Sequence, residues 1–261
     1  SFQHFVIISS VNKVFLSVVI PCYNEMANLQ KGVLDKIAHF LGKKKFTYEV
    51  IIVDDGSDDG SAEFVEKFVK ENPNFLLFKN SHLGKAGAVS FGILNGKGEW
   101  RLFADMDQAT PIEELDKLLP YTGKNFDVII GSRSTKRRGA PWTRLVMANG
   151  MIILRKLLIG LFDIKDAQCG FKMFSEKSAE NIFPKASKIH QGFQKISGSS
   201  VTAGFDIELL YLAKKNGFKI KEVPVDWLYV ESRRVNPIKD SIYGVLDLLK
   251  IKLNIFKGIY K

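Results

Sequence analysis

The sequence is short of cysteine and histidine and has no long apolar run, and each shortage closes off a class of protein. Only Cys22 and Cys169 occur among 261 residues. Neither a disulfide framework nor a cysteine-built zinc site can be assembled from two, and a reducing, cytoplasmic compartment is the expectation. The longest stretches without a charged side chain, residues 1–12 and 14–24, fall short of the roughly 18 apolar residues that read as a membrane span. The opening Ser1-Phe2-Gln3-His4 has neither Met nor the basic stretch of a signal peptide, which leaves open an anchor ahead of residue 1. Fixed-period repeats and low-complexity segments are missing too. At 46% hydrophobic and 25% charged, the chain is neither disordered nor collagen-like, and its length suits one enlarged α/β domain or a domain with a tail.

Negative charge is scarce in the second half. Residues 1–130 hold 14 basic and 17 acidic side chains, net −3, whereas residues 131–261 hold 24 and 11, net +13, of the +10 total. Two halves of such different charge are expected to face different partners.

Apolar runs that read as strands alternate with helical stretches. The strands are Val18-Val19-Ile20, Val50-Ile51-Ile52-Val53, Phe75-Leu76-Leu77-Phe78, Trp100-Arg101-Leu102-Phe103-Ala104 and Val128-Ile129-Ile130, with helices at about 26–41, 61–71, 85–95 and 112–121. Ser61 opens the second helix as a cap. Strands that are apolar throughout, each followed by a helix, indicate a mostly parallel sheet covered on both faces. Residues 1–133 therefore read as a Rossmann-like half. Beyond it the order loosens: a long helix near 141–161, a short strand at Phe171–Phe174, helices near 176–183 and 206–216, then the segment Ile220–Val230.

Ligands of open parallel sheets bind outside the carboxyl ends of the strands, and here those ends carry the unusual residues. They are Pro21-Cys22-Tyr23-Asn24-Glu25, Asp54-Asp55-Gly56-Ser57, Asp105-Met106-Asp107 and Gly131-Ser132-Arg133. Asp105 and Asp107 offer the oxygen ligands that a hard cation such as Mg2+ shares with phosphates, although an isolated Asp-x-Asp also reads as caps or a solvated turn. Asp58 or Ser61 equally reads as a helix cap. Gly84-Lys85-Ala86-Gly87 is neither a Walker A loop nor GxGxxG, and it brings a lysine and a bare backbone within reach of a phosphate.

In this order the segments resemble the family 2 glycosyltransferases of GT-A fold. Asp166-Ala167-Gln168-Cys169-Gly170-Phe171-Lys172, Phe205-Asp206-Ile207-Glu208 and Glu222-Val223-Pro224-Val225 narrow the resemblance to the dolichyl- or polyprenyl-phosphate glycosyltransferases, over roughly residues 17–250. The fold so implied is α/β, GT-A, with a domain over 1–235 (a nucleotide-sugar half, 1–133, and an acceptor half, 134–235) and a C-terminal amphipathic helix over 236–261. The activity implied is inverting transfer of a hexose from a nucleotide sugar to a lipid phosphate.

Carried over by position, the resemblance puts Pro21, Tyr23 and Glu25 beside the nucleobase, Asp55 at base or ribose, and Lys85, Asp105 and Met106 against the donor. Asp105, Asp107 and Gln108 become the ligands of Mg2+ or Mn2+, with Gln108 directly after the second Asp rather than two places beyond it as in relatives. Arg133, Arg144, Ser232 and Arg233 face the phosphates, within a basic group that includes Lys136, Arg137 and Arg138. Asp107 and Asp166 are the catalytic candidates, Asp166 as a base or as an organiser of an arginine. The Asp-x-Asp-x-Ala-Thr form is similar to the glucosyl branch, served by UDP-glucose, more than to the mannosyl branch, served by GDP-mannose. His39, His82 and His190 read as surface or packing residues, and Cys169 as buried and structural.

From Pro237 onward, Ile242, Leu246, Leu249, Leu253, Phe256 and Tyr260 fall on one stripe of a helix, and Leu248, Ile251, Ile255 and Ile259 on a second. Lys239, Lys250, Lys257 and Lys261 border the first. One stripe is expected on protein and the other against a membrane surface or a second copy of the chain. The expected location is the cytoplasmic face of a membrane, the plasma membrane of a prokaryote or the endoplasmic reticulum of a eukaryote, held peripherally or by an anchor outside this chain. Three other readings remain. One is a family 2 transferase acting on a glycan or glycolipid hydroxyl, another a non-catalytic nucleotide-sugar binder. The third is a nucleic-acid binder, disfavoured because no nucleic-acid motif accompanies the basic residues.

Overall fold

The computed structural model describes residues 13–133, 142–189, 203–228 and 237–260, with the side chains of 142–149, 203 and 237–241 left out. Seven strands form one sheet: β1 (Leu16–Cys22), β2 (Tyr48–Asp54), β3 (Phe75–Lys79), β4 (Trp100–Ala104), β5 (Val128–Arg133), β6 (Phe171–Ser175) and β7 (Ile220–Val225). Their spatial order is β3-β2-β1-β4-β6-β5-β7. All neighbours are parallel except around β6, which runs antiparallel to β4 and β5.

Both faces of the sheet's central strands are buried, which is why β1, β2, β4 and β5 read as nearly unbroken apolar runs. Val18, Ile20, Val50, Ile52 and Leu102 pack on one face, beneath α2 (Val33–Gly42) and the segment Ile112–Leu118. Val19, Ile51, Val53, Phe103 and Phe174 pack on the other, beneath α4 (Gly84–Asn95), α7 (Glu176–Ile189) and α8 (Ala203–Lys215). Gly92 of α4 lies so close to β1 that a Cβ there would stand 2.3 Å from Val19 Cγ1, so the helix seats directly on the strand.

The structure departs from the sequence reading at three helices. The expected helix over 26–41 is split into α1 (Met26–Leu29) and α2 by Gly32, whose φ of +73° a continuous helix cannot accommodate. The expected helix over 112–121 is three short pieces, two of them 3-10, with α5 (Leu115–Leu118) in the middle and Pro120 in the last. Ser61 is the first residue of α3 (Ser61–Glu71) rather than its cap; Gly60 takes the cap position at φ +89°, and Asp59 Oδ1 accepts the Ser61 N–H.

Helix α6 (Trp142–Ile159) leads into a loop that returns at β6, and α9 (Pro237–Phe256) packs against α6 and α8. On α9 the second apolar stripe is the inner one, with Leu248 and Ile251 buried, while Ile242, Leu246, Leu249, Leu253 and Phe256 are exposed. Each stripe has an exception, Ile259 of the second, which is exposed, and Tyr260 of the first. Tyr260 is buried, and its hydroxyl donates to the buried Glu208 of α8. Among the described residues no helix is long and apolar enough to cross a membrane.

Candidate active site

Parallel strands all end at one edge, and the reversed β6 starts there. The ends of β1, β2, β4 and β5 therefore share one edge, and those of β4 and β5 meet the loop that precedes β6. The β4–β6 register sets Ala104 opposite Phe171, which lays Asp105 against Gly170.

At the ends of β1 and β2 the two following loops are tied together. Asn24, at φ +54°, donates through Nδ2 to Asp58 Oδ1 (2.8 Å) and accepts the Asp58 N–H (2.9 Å), while the Glu25 N–H donates to Ser61 Oγ (2.9 Å). The rings of Tyr23 and His82 lie 4.3 Å apart at 30°. His82, expected as a surface or packing residue, does pack, at the strand ends beside Tyr23, and its Nδ1 is 3.2 Å from Asp55 Oδ2. Asp55 itself is turned inward. Its two carboxylate oxygens accept the N–H groups of Leu83 (2.8 Å) and Gly84 (2.7 Å), where α4 begins, the position at which a helix favours an anion. Burial pushes the Asp55 carboxyl above its ordinary value, against the pull of these donors and His82.

At the end of β4, Lys85 Nζ stands 2.5 Å from Asp105 Oδ1, and both side chains are about one-third exposed, at 30% and 33%. Burial works against the ammonium. The charge of Asp105, with Asp206 and Asp107 behind it, outweighs burial and holds Lys85 above the ordinary lysine value. Asp206 in turn pairs at 2.5 Å with Lys172 of β6, which is fully buried and also donates to the Cys169 carbonyl, as a buried charge requires. Asp107 Oδ1 accepts the Ala109 N–H.

Two neighbours of this pair do not join it. Met106 is 2% exposed and packs into the core, because the middle residue of an Asp-x-Asp at a strand end points to the opposite side. Gln108, at φ +50°, spends its amide on its own turn: Nε2 donates to the Asp105 carbonyl (2.8 Å) and Oε1 accepts the Ile112 N–H (2.9 Å). Both ends of the Gln108 amide are thus engaged in holding the turn from Asp105 to Ile112.

Across the edge, Arg133 closes β5 and grips Asp166 with a two-pronged pair, Nε to Oδ2 at 2.6 Å and Nη2 to Oδ1 at 2.8 Å, while the Arg133 N–H donates to Oδ2 as well. Burial opposes the Asp166 charge, yet Arg133 overrides it and holds the carboxyl down at about 2. A carboxylate so stabilised is a poor base and a good organiser. Its partner is Arg133. Trp227, beyond β7, lies with its ring centroid 5.9 Å from the Arg133 guanidinium carbon, and the Leu228 N–H donates to the Ala109 carbonyl, which joins this loop to the Asp-x-Asp turn. Arg144 falls in the first turn of α6 with its side chain outside the described residues, as are Lys136, Arg137, Arg138, Ser232 and Arg233.

The same edge of the sheet thus carries a two-carboxylate turn beside a lysine at the end of β4 and an ion-paired arginine at the end of β5. Residues 17–183 match glycosyl transferase family 2. The chain belongs to this family. It is 33% identical over 271 residues to the dolichyl-phosphate beta-glucosyltransferase of Dictyostelium discoideum, covering 96% of this chain and 78% of that protein. It is 32% identical over 272 residues to the enzyme of the same name in Saccharomyces cerevisiae, covering 95% and 77%. In fold it resembles mannosyl-3-phosphoglycerate synthase from Rubrobacter xylanophilus, with a TM-score of 0.63 at 13% identity, over 94% of this chain and 75% of that one.

As a family 2 chain, it shows site residues that motif reading passes over. Gly170 leaves the space Asp105 fills, His82 backs Tyr23, Trp227 flanks Arg133, and Glu222 accepts from the backbone N–H groups of Lys165 and Asp166. Gly170 and Glu222 both sit inside segments that carry the family resemblance. Nothing in their spacing marks their partners, which only the reversed strand brings near. Among the described residues no three acidic, histidine or cysteine side chains gather to enclose a metal. The pair Asp105 and Asp107 instead fits an ion that takes one or two carboxylates and completes its shell with ligand phosphates and water.

Proposed function

We propose that this chain transfers glucose, with inversion, from UDP-glucose to dolichyl or another polyprenyl phosphate at the cytoplasmic surface of the membrane that holds the lipid. The observation that carries this reading is the pairing of one edge that offers Asp105, Asp107 and Lys85 with an opposing Arg133 locked by Asp166, in a chain alike over nearly its whole length to dolichyl-phosphate beta-glucosyltransferases.

The acceptor explains why an organiser suffices where a base is lacking. A phosphate monoester has a second pKa of about 6, so its oxygen is already anionic and needs positioning and charge compensation more than proton removal. Arg133, held flat by Asp166, would take one acceptor phosphate edge as a planar fork, with Arg144, Ser232 and Arg233 as further phosphate contacts. The phosphate oxygen then bonds to the anomeric carbon from the face opposite the departing diphosphate. Tyr23, backed by His82, and Pro21 and Glu25 would hold the nucleobase, with Asp55 shaping the pocket through the start of α4. Asp105 and Asp107 would hold Mg2+ or Mn2+ on the donor diphosphate. When bound, the ion supplies countercharge to the leaving nucleoside diphosphate. Lys85 would stabilise the same phosphates from the other side. In this reading residues 1–133 form the donor half, 134–235 the acceptor half and 236–261 the membrane-facing helix of one enzyme.

The outer faces of α6 and α9 support the membrane part. The two helices pack together, and Ile153, Leu157, Leu246, Leu249, Leu253 and Phe256 are exposed on them. Lys250 and Lys257 are exposed beside them at the C-terminal end. Apolar side chains beside lysines match an anionic lipid surface.

The test is incubation with UDP-glucose or GDP-mannose, a short polyprenyl phosphate and Mg2+ or Mn2+, followed by mass spectrometry of the lipid fraction. Lipid-linked hexose from UDP-glucose is expected. Product from GDP-mannose alone would move the enzyme to mannosyl transfer, and no lipid-linked hexose from either donor would overturn the reading.

A further inference from the structure

The loop between α6 and β6 is gripped from two sides at two consecutive peptides, Ile164–Lys165 and Lys165–Asp166. From α6, the buried Arg155 donates through Nη2 to the carbonyls of Ile164 (2.5 Å) and Lys165 (3.3 Å). From β7, the Glu222 carboxylate accepts the Lys165 N–H (2.9 Å to Oε2) and the Asp166 N–H (2.7 Å to Oε1). Neither residue touches the Arg133 side chain through any bond described above, yet both act where Asp166 is anchored. The strand register closes the figure: β5 and β7 pair so that Ile130 faces Glu222 and Arg133 faces Val225. Arg133 and Glu222 thus stand on adjoining strands, and Asp166 bridges them from the loop.

We propose that Glu222 is a positioning residue for the acceptor side, holding the Lys165–Asp166 backbone where Asp166 can orient the Arg133 guanidinium toward the acceptor phosphate. The inference rests on the reading of Arg133 as a phosphate ligand. Its physical basis is directional. Arginine's advantage over lysine lies in its planar fork, and that fork is useful only when its plane is set. A free Arg133 would sample many rotamers, whereas the two-pronged Asp166 pair selects one, and Glu222 fixes where Asp166 begins. A misplacement of about 1 Å at a reacting group costs on the order of a hundred-fold in rate.

The experiment compares wild type, Glu222→Ala, Glu222→Gln, Asp166→Asn and the double variant Asp166→Asn/Glu222→Ala. In Glu222→Ala, kcat/KM for a short polyprenyl phosphate is expected to fall roughly ten- to hundred-fold, with KM for the nucleotide sugar within about two-fold of wild type. Glu222→Gln keeps an acceptor oxygen for the Asp166 N–H and should recover part of the loss. Because Glu222 acts through Asp166, its penalty should nearly vanish in the Asp166→Asn background. An equal penalty in both backgrounds, or a donor KM that rises in step, would reduce Glu222 to a structural strut and overturn the proposal. Calorimetric binding of the same polyprenyl phosphate needs no turnover and is expected to weaken about ten-fold in Glu222→Ala and less in Glu222→Gln. Unchanged binding would also overturn it. A wild-type protein that binds the lipid phosphate but transfers no sugar would refute the transfer reading and still leave the Glu222 comparison decided by binding.

Discussion

A Cβ added to Gly170 would stand 2.1 Å from Oδ2 of Asp105. The leading carboxylate of the Asp-x-Asp turn therefore lies flat on a stretch of backbone with no side chain, and its direction depends on that bare surface. The contact joins β4 to the start of the one reversed strand, so the geometry of the acidic pair and the direction of β6 are a single feature.

Gly170→Ala should damage the site more than the fold. The clashing atom belongs to a side chain that can rotate away, so the stability cost is that of modest overpacking, about 1–3 kcal/mol. The displaced carboxylate, by contrast, should lower turnover on the order of a hundred-fold. Denaturant titration and hexose transfer, measured on the same preparation, separate the two effects. Turnover within a factor of two of wild type would refute the dependence of Asp105 on Gly170.

Asp107→Ala should abolish transfer while leaving the chain folded. The bond it gives up from the Ala109 N–H contributes about 1 kcal/mol, far less than a domain's stability. Removal of the divalent ion with EDTA should reproduce the variant's loss in the wild type and have little further effect on the variant. Unchanged turnover in Asp107→Ala would sink the metal role.

The fold is legible in outline because β1, β2, β4, β5 and β6 are buried on both sides and announce themselves as apolar runs, whereas the edge strand β7, with Lys221, Glu222 and Pro224 in it, does not. Strand direction is not legible, since an apolar run reads the same for either direction, and β6 is the strand that turns over. The helix breaks at Gly32 and around Pro120 stay hidden because local apolar spacing continues across them, while backbone conformation does not. Within the site, the acidic and basic side chains at strand ends can be named from their positions. Their partners cannot: Arg133 finds Asp166 across a long connection, and Asp55 turns inward to the start of α4. For Gln108 too, residue type alone does not reveal an amide committed to its own turn.

The Arg133–Asp166 pair also predicts an acid limit. Asp166 is held at about 2 against an ordinary 3.8, so its contribution is complete above pH 4 and is lost as pH falls from about 4 toward 2. At about 1.4 kcal/mol per pH unit the contribution is roughly 2 kcal/mol. Asp166→Asn should be less stable than wild type by about that amount at pH 7, and the gap should narrow at pH 3. Urea midpoints for both proteins at the two pH values decide it. A gap that stays constant would mean the ion pair does not stabilise the fold.

The outer face of α9 makes the last prediction. Phe256 is 86% exposed and Leu253 59%, a cost in water that a lipid surface would remove, at about 1.5–3 kcal/mol for each side chain fully buried. Lys250 and Lys257 would add about 1 kcal/mol apiece near an anionic headgroup layer, screened by salt. Leu253→Asp/Phe256→Asp should therefore lower partitioning onto phosphatidylserine-containing vesicles at least ten-fold, and Lys250→Gln/Lys257→Gln should weaken it mainly at low ionic strength. All four side chains are exposed on or just past α9, away from the strand ends, so transfer to a short, water-dispersed polyprenyl phosphate should persist in both. Vesicle co-sedimentation with the two double variants at low and physiological salt provides the comparison. If the Asp variant sediments with vesicles as wild type does, the exposed rows of α6 and α9 do not face lipid.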